Sequence, residues 1–171
     1  VQKGKFLIEY AFYTVSAFKK MQAQDLMQRK RLRTRMLSIG KIWFDKNGVL
    51  TELKNEAIEK LKEPMPEVSE FDVEVRKYNL WDQLDNLKSL ETINSPGYTY
   101  AYYAALQEVI ETYAIHLKVE LPRPGRMWRF LTDSDFRTRY AIQDFPDQVF
   151  IAQFSEALTR PSTATLESLT K

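Results

Sequence analysis

The sequence predicts a mainly α-helical protein with about five to six helices and a minor β component. Three observations support this fold class. Glycine is scarce, with 5 residues in 171, which disfavours a turn-rich all-β fold. Apolar residues recur at i, i+3, i+4 and i+7 in several segments, as on the buried face of a helix. Ser95-Pro96 places a capping serine before a proline at a first helical position. If the predicted strands pair, the fold class is α+β.

The N-terminal segment from Lys5 to about Ser38 is predicted to form one long helix or two abutting helices. Its second half is dominated by strong helix formers, and Gly40 is a natural stop. Its first half is rich in Phe, Tyr and Val, so a strand there is an alternative. The apolar run Phe6 to Phe18 is interrupted by Glu9 and is shorter than the roughly 20 residues of a membrane-spanning helix. We therefore expect no spanning segment here.

The minor β component is predicted at two places. Short apolar runs flank Asn47-Gly48, which indicates a β-hairpin over residues 41–50. Residues 71–76 alternate strictly between apolar and charged side chains, which favours a strand. Between them, a helix capped by Thr51 is predicted to continue to about Lys62.

The remaining elements are predicted from caps and helical spacing. The helices are expected from Asn79 to Ile93, from Gly97 to Lys118, from Asp133 or Ser134 to Tyr140, and from Asp144–Pro146 to Leu158. The Ser/Thr-rich end is expected to be an extended tail. The predicted domains are an N-terminal helix or arm, residues 1–40, with a basic C-terminal half; a compact mainly helical domain, residues 41–160; and the tail, residues 161–171.

The composition excludes several classes of active site. The chain has no cysteine and one histidine, His116, so disulfides, thiolate metal sites, cysteine nucleophiles and two-histidine sites are excluded. The absence of cysteine is compatible with a cytosol-like reducing compartment or with a virion. No phosphate-binding glycine loop, dinucleotide fingerprint or nucleophile elbow is present. We therefore expect a non-enzyme with no catalytic residue, metal, cofactor or small-molecule substrate.

Charge is unevenly distributed although the net charge is only +2. Residues 19–41 contain eight basic residues and one acid, a net charge of +7. Residues 45–91 contain twelve acids and seven bases, a net charge of −5. Residues 118–139 contain six bases and three acids, a net charge of +3. This basic, acidic, basic order indicates self-complementary packing or contact with an acidic partner.

Two basic clusters are candidate sites for nucleic acid or an acidic partner. Their residues are Arg29, Lys30, Arg31, Arg33 and Arg35 in the first cluster, and Arg123, Arg126 and Arg129 in the second. Phosphate binding would gain from counterion release. The alternatives are that the first cluster is a solvated helix end or docks on the chain's own acidic middle. For the second, the alternative is that Trp128 and Phe130 fill the core while the arginines pair with nearby aspartates.

Aromatic residues provide candidate interface anchors, because Trp and Tyr are frequent at binding hot spots. The candidates are Phe6, Phe12, Phe18, Tyr98, Tyr100 and Trp128. The alternative for the tyrosines is a tyrosine-rich core wall.

These features predict a structural or adaptor subunit of a larger multi-protein assembly, such as a virion, a secretion machine or an organelle complex. Its expected partners are other protein subunits, including further copies of itself. One alternative is a nucleic-acid-binding protein that uses the basic helix over residues 29–35. A second alternative is a peripheral membrane-associated subunit, with the N-terminal amphipathic stretch and its basic run at the lipid surface.

Overall fold

The computed structural model describes the backbone of residues 2–3, 6–7 and 9–170 and the side chains of residues 9–170. This part of the chain is mainly helical, as predicted, but its nine α-helices exceed the five or six expected. The helices are α1 (Val15–Met27), α2 (Leu32–Ile39), α3 (Val49–Lys60), α4 (Glu70–Thr92), α5 (Tyr98–His116), α6 (Met127–Thr132), α7 (Ser134–Arg139), α8 (Gln148–Thr159) and α9 (Thr163–Leu169). A 3-10 turn, Pro124–Arg126, precedes α6.

The chain divides into two compact units, Val1–Lys62 and Glu63–Lys171. The first unit contains α1 to α3. It also contains a two-residue antiparallel ladder between β1 (Gln2–Lys3) and β2 (Phe6–Leu7). The second unit contains α4 to α9.

Among the described residues of the first unit, the first helix begins later than predicted. Helix α1 begins only at Val15, where the Thr14 hydroxyl accepts a hydrogen bond from the Ala17 N–H at 3.1 Å. Helices α1 and α2 are separated by a turn in which Arg29 has a φ of 53°. The left-handed backbone at Arg29 ends the first helix and allows the chain to turn back, so the prediction of one helix is wrong and that of two is nearer.

The predicted hairpin over residues 41–50 is also wrong, because Val49 and Leu50 are the first residues of α3. The Asp45 carboxylate accepts hydrogen bonds from the Leu50 N–H at 3.2 Å and from the Thr51 N–H at 2.8 Å. Gly48 lies between them at a φ of 76°, a conformation that costs glycine little. The Asn-Gly turn is therefore the entry to a helix, and Asp45 rather than Thr51 caps it.

The second unit begins with the longest helix, α4, which includes the segment predicted as a strand. The Ser69 hydroxyl accepts a hydrogen bond from the Asp72 N–H at 3.1 Å and starts the helix. Residues 71–76 lie in its first two turns, so the predicted strand is wrong, and Asn79 lies in its interior rather than at its start. The alternation of apolar and charged residues arises because this half of α4 carries apolar side chains on two opposite faces.

Helix α5 lies at the centre of the core of the second unit. Six of its side chains are buried, and Tyr102 is fully buried, with its hydroxyl donating to the Ala157 carbonyl at 2.8 Å. Aromatic rings complete this core, among them Phe130 of α6, Phe145 of the segment between α7 and α8, and Phe150 of α8. The helix predicted from Gly97 to Lys118 agrees with α5 to within two residues at each end.

The C-terminal segment is not an extended tail. Residues 163–169 form α9, which begins with a capping box between Ser162 and Thr165. Leu166 is fully buried, and Lys88 on α4 binds Glu167 at 2.7 Å. The Ser and Thr residues that suggested a tail are caps and hydrogen-bonding groups of a packed helix.

Candidate interaction surfaces

Helix α4 has an apolar face on each side. Leu80, Leu84 and Leu87 pack on the core of the second unit. At 100° per residue, the opposite side of the helix carries a second apolar row, which we call the α4 outer stripe. Its members, with their exposed fractions, are Phe71 (75%), Val75 (40%), Tyr78 (63%) and Trp81 (62%).

The α4 outer stripe is rich in aromatic side chains and has acidic neighbours. The Tyr78 and Trp81 rings lie 6.0 Å apart. At roughly 200 Å² per aromatic side chain, its three rings expose about 400 Å². An apolar patch of that size is comparable to the largest on a typical monomer, and such patches are often functional. Residues 70–85 contain five acids and two bases, so the stripe lies on a negatively charged helix.

The N-terminal half of α4 is connected to α5 by an ion pair. The Arg76 guanidinium binds the Glu108 carboxylate of α5 at 3.0 Å, and both side chains are only partly exposed. Helices α4 and α5 are also in contact, and Leu80 and Leu84 of α4 pack against the buried cluster. The aromatic rings are therefore presented on a helix that is anchored to the core, and such preorganisation would lower the entropy cost of binding.

Helix α2 in the first unit buries polar side chains and exposes apolar ones, the inverse of the usual arrangement. Its buried side chains are Thr34 and Ser38, which are spaced i, i+4. Its exposed side chains are apolar and form what we call the α2 outer stripe, on the opposite side of the helix. The members, with their exposed fractions, are Leu32 (43%), Met36 (59%) and Ile39 (45%).

A buried carboxylate fixes this inverted arrangement. Asp25 on α1 is only 3% exposed. It accepts a hydrogen bond from the Arg33 N–H at 2.8 Å and forms an ion pair with the Arg33 guanidinium. Arg31 occupies the N-cap position of α2 but its side chain does not cap the helix, so Asp25 caps α2 from the neighbouring helix. Gln22 adds a hydrogen bond to the Thr34 hydroxyl at 3.2 Å. Polar contacts thus position the polar side of α2 inward.

The segment between α2 and α3 exposes two large aromatic side chains. Trp43 is 89% exposed and Phe44 is 77% exposed. Lys41 and Lys46 lie on either side of them, and both are exposed. A basic segment with exposed rings resembles the stacking platforms that bind single-stranded nucleic acid.

The five basic residues predicted at 29–35 do not share one solvent-facing surface. Arg31 is buried, with 8% of its surface exposed, and Arg33 is paired with Asp25. Arg29 and Arg35 are half-buried, whereas Lys30 is exposed. Two of the five basic side chains therefore contribute to the internal packing of the first unit.

The second predicted basic cluster is organised around α6 and α7. Arg129 lies over the Phe136 ring, 4.8 Å from its centroid, and binds Asp133 at 3.0 Å. Arg126 lies 5.7 Å from the centroid of the Tyr140 ring. The hydrogen bond from the Phe136 N–H and the contact with Arg129 hold the pKa of Asp133 below its usual value. Arg123 is exposed. In this cluster, therefore, Arg129 contributes to local packing, whereas Arg123 is accessible to solvent.

Trp128 and Phe130, on the same short helix, have different environments. Phe130 is fully buried, whereas Trp128 is 52% exposed. The alternative in which both side chains fill the core therefore applies to Phe130 alone.

The other predicted anchors differ in accessibility. Phe12 is 89% exposed and Tyr100 is 84% exposed. Phe18 is half-buried, with its ring 6.2 Å from that of Tyr13. Tyr98 packs against the core and shares a hydrogen bond with the Thr163 hydroxyl at 3.2 Å. The Phe6 side chain lies outside the described residues.

Titratable groups in the second unit support the packing. The Tyr113 hydroxyl donates to the Asp147 carboxylate at 2.6 Å, and Asp147 also accepts from the Phe150 N–H at 2.9 Å. These hydrogen bonds lower the pKa of Asp147, and the bond to Asp147 raises the pKa of Tyr113. His116 is exposed beside the Tyr113 ring. Among residues 9–170, no group of three His, Asp or Glu side chains is placed to hold a metal ion.

Within the portion of the chain that the structure describes, no helix is both long enough and apolar enough to cross a bilayer.

Sequence reasoning missed both outer stripes. The available signal was the i, i+4, i+7 spacing of Phe71, Val75 and Tyr78, and the same spacing in α2. In α4 this signal was hidden by the alternating pattern, because a helix with two apolar faces mimics period two over a few residues.

Comparison with protein-family models, with curated proteins and with solved structures finds no match to this chain.

Proposed function

We propose that the chain is a non-enzymatic structural or adaptor subunit of a multi-protein assembly, and that the α4 outer stripe is its main docking surface. One observation carries the proposal: three aromatic side chains are exposed on the side of α4 opposite its buried leucines. Exposure of this kind is unfavourable in water. A partner that covers the stripe would recover that free energy.

The chemistry of the stripe defines the partner. Aromatic rings on a rigid helix suit hot-spot contacts, since they bury large areas and lose little side-chain entropy. The acids beside the rings, among them Asp72, Glu74 and Asp82, would favour a partner with basic residues at its rim. The expected partner surface is therefore an apolar groove or helix with Lys or Arg at its edges.

Site-specific photo-cross-linking in the native source tests this proposal. A photoreactive side chain at Tyr78 is expected to capture one defined protein. The same group at Ala104, an exposed residue of α5, is the matched control and is expected to capture none. Phe71→Gln and Trp81→Gln together are expected to abolish the Tyr78 cross-link. Identical products from positions 78 and 104 would contradict the proposal.

Nucleic-acid binding is a second candidate function, favoured by the exposure of Trp43 and Phe44. These rings belong to a unit in which residues 1–62 contain 14 Lys and Arg against 6 Asp and Glu, a net charge of +8. Stacking of bases on such rings is worth roughly 1–3 kcal/mol per base. The basic surroundings would add a salt-dependent attraction to phosphates.

Fluorescence anisotropy with single-stranded DNA and RNA oligonucleotides tests this second function. Trp43→Ala with Phe44→Ala is expected to weaken binding at least tenfold. Trp81→Ala, which removes an exposed ring from the acidic α4, is the matched control and is expected to leave binding unchanged. Equal losses in both variants, or affinity that is insensitive to salt, would exclude this function.

A further inference from the structure

We infer that the α4 outer stripe of one copy of this chain receives the α2 outer stripe of a second copy, so that copies associate head to tail. The inference rests on the proposed function of α4 as a docking surface, and it identifies the partner as the chain itself. Two observations support it: the similar spacing of the two stripes, and the opposite charge of the residues that surround them.

The two stripes have the same spacing. Leu32, Met36 and Ile39 are separated by four and then three residues, as are Phe71, Val75 and Tyr78. Each row extends about 10 Å along its helix, at 1.5 Å per residue. The rows also match in chemistry, because flexible aliphatic side chains on α2 can fill the spaces between the aromatic rings on α4. An amphipathic helix that docks through i, i+4 and i+7 anchors is a common recognition mode.

The charges that surround the stripes are opposite. Residues 1–62 have a net charge of +8, whereas residues 63–171 contain 11 Lys and Arg against 17 Asp and Glu, a net charge of −6. Arg35 is adjacent to Met36 of the α2 outer stripe, and acids flank the α4 outer stripe. Attraction between these surfaces accelerates association and selects the orientation.

The same charges disfavour symmetric pairing. Two α4 outer stripes facing each other would bring acidic helices together, and two α2 outer stripes would bring basic helices together. Like charges across an interface cost free energy. The contact is therefore heterologous, with a different surface on each side, and it leaves one unused α2 and one unused α4 at the ends of any open complex. Such contacts produce closed rings or open filaments.

Two single-face variants of the full chain test this arrangement. Met36→Glu with Ile39→Glu disables α2 and leaves α4 intact, whereas Val75→Lys with Tyr78→Lys disables α4 and leaves α2 intact. By light scattering across a concentration series, the wild-type chain is expected to form oligomers of increasing mass and each variant alone is expected to be monomeric. An equimolar mixture is expected to form a complex of twice the chain mass and nothing larger, because its outer faces are both disabled.

Controls introduce one charge of the same sign at an exposed residue outside the stripes. They are Ala23→Glu on α1 and Ala104→Lys on α5, and both are expected to associate as the wild type does. Far-UV circular dichroism of each variant verifies that it retains its helices.

A second measurement leaves both surfaces nearly intact. Because the chain contains no cysteine, single Met36→Cys and Val75→Cys variants can be mixed and treated with a short bis-maleimide. A cross-link between position 36 of one copy and position 75 of another is expected, and its yield should decrease at high salt. Ala23→Cys in place of Met36→Cys should give no such product.

Each remaining outcome is decisive. A wild-type chain that stays monomeric to its solubility limit, a mixture that forms no heterodimer, or cross-linking no greater than that of the Ala23→Cys control would overturn head-to-tail association. If the chain stays monomeric while Tyr78 captures a different protein in the native source, the proposed docking function stands and this inference fails. If Tyr78 also captures nothing, both fail.

Discussion

The two units bury different kinds of side chain. The second unit encloses fifteen hydrophobic residues in one cluster around α5, rich in Phe. Among the residues described in the first unit, the buried hydrophobic side chains are Leu53 and Ala57, and the buried polar ones include Asp25, Thr34 and Ser38. The second unit is stabilised by removal of apolar surface from water, and the first by directed hydrogen bonds and an ion pair.

Because their cores differ, the two units are expected to differ in how much their stability depends on a binding partner. The second unit has a core of packed rings of its own, so its stability is not expected to depend on a partner that covers the α4 outer stripe. The first unit leaves much of its apolar surface in water, including Phe12, Met27 and Trp43. Such a unit is expected to gain more stability than the second when a partner covers it.

The largest expected effect is the loss of a core ring in the second unit. Phe130→Ala removes a fully buried ring and is expected to lower the free energy of unfolding by about 3–5 kcal/mol. Trp128→Ala, on the same helix but half exposed, is the control and is expected to cost less than about 1 kcal/mol. Urea denaturation of both variants measures the difference. Similar losses would show that α6 does not enter the core through Phe130.

The next effect tests whether the polar centre stabilises the first unit. Asp25→Asn removes a charged acceptor of the Arg33 contacts and is expected to cost about 1.5–3 kcal/mol, the range for hydrogen bonds to charged groups. Hydrogen exchange is expected to accelerate at the amides of α2 and not at those of α5. Gln24→Ala, at the adjacent exposed position, is expected to change neither. Uniform acceleration in both units would contradict the proposed division of roles.

A smaller effect on stability is expected at low pH. The pKa of Asp147 is lowered in the folded chain, first by the Tyr113 hydroxyl and then by the Phe150 N–H. A carboxyl group with a lowered folded pKa stabilises the fold above its unfolded pKa, and this contribution disappears as the pH falls through the folded value. Stability of the second unit is therefore expected to decline below about pH 4.

The variant Asp147→Asn isolates this contribution. It is expected to be less stable at neutral pH and to show a flatter pH dependence below about pH 4. Thermal unfolding followed by near-UV circular dichroism measures both quantities. An unchanged acid dependence would show that the Tyr113–Asp147 contact does not titrate with folding.

The smallest effect on stability is expected for the α4 outer stripe, and it distinguishes a docking surface from a part of the core. Phe71→Gln and Trp81→Gln replace exposed side chains and are each expected to change the free energy of unfolding by no more than about 0.5 kcal/mol. The same variants are expected to lose association through α4. If either variant unfolds the second unit, the outer stripe belongs to the core rather than to a docking surface.

Several elements could be predicted from the sequence because their signals are local. The α5 face follows from apolar residues at helical spacing, and the cap at Asp133 from its position before a short helix. The absence of cysteine and the block distribution of charge are properties of composition alone. These features depend on neighbours within one or two helical turns.

Two of the failures have a common physical cause, because each depends on contacts with residues outside the segment itself. Asp25 caps α2 from eight residues away, and Ser162 and Thr165 begin a packed helix only because Leu166 has a core to enter. The sequence by itself determined that the chain is mainly helical and that its charge alternates along its length. Tertiary structure alone decided which of the two apolar faces of α4 is buried, since periodicity identifies a face but not its partner. It also placed the polar side of α2 inward, because Asp25 and Gln22 on α1 hydrogen-bond with Arg33 and Thr34 of α2.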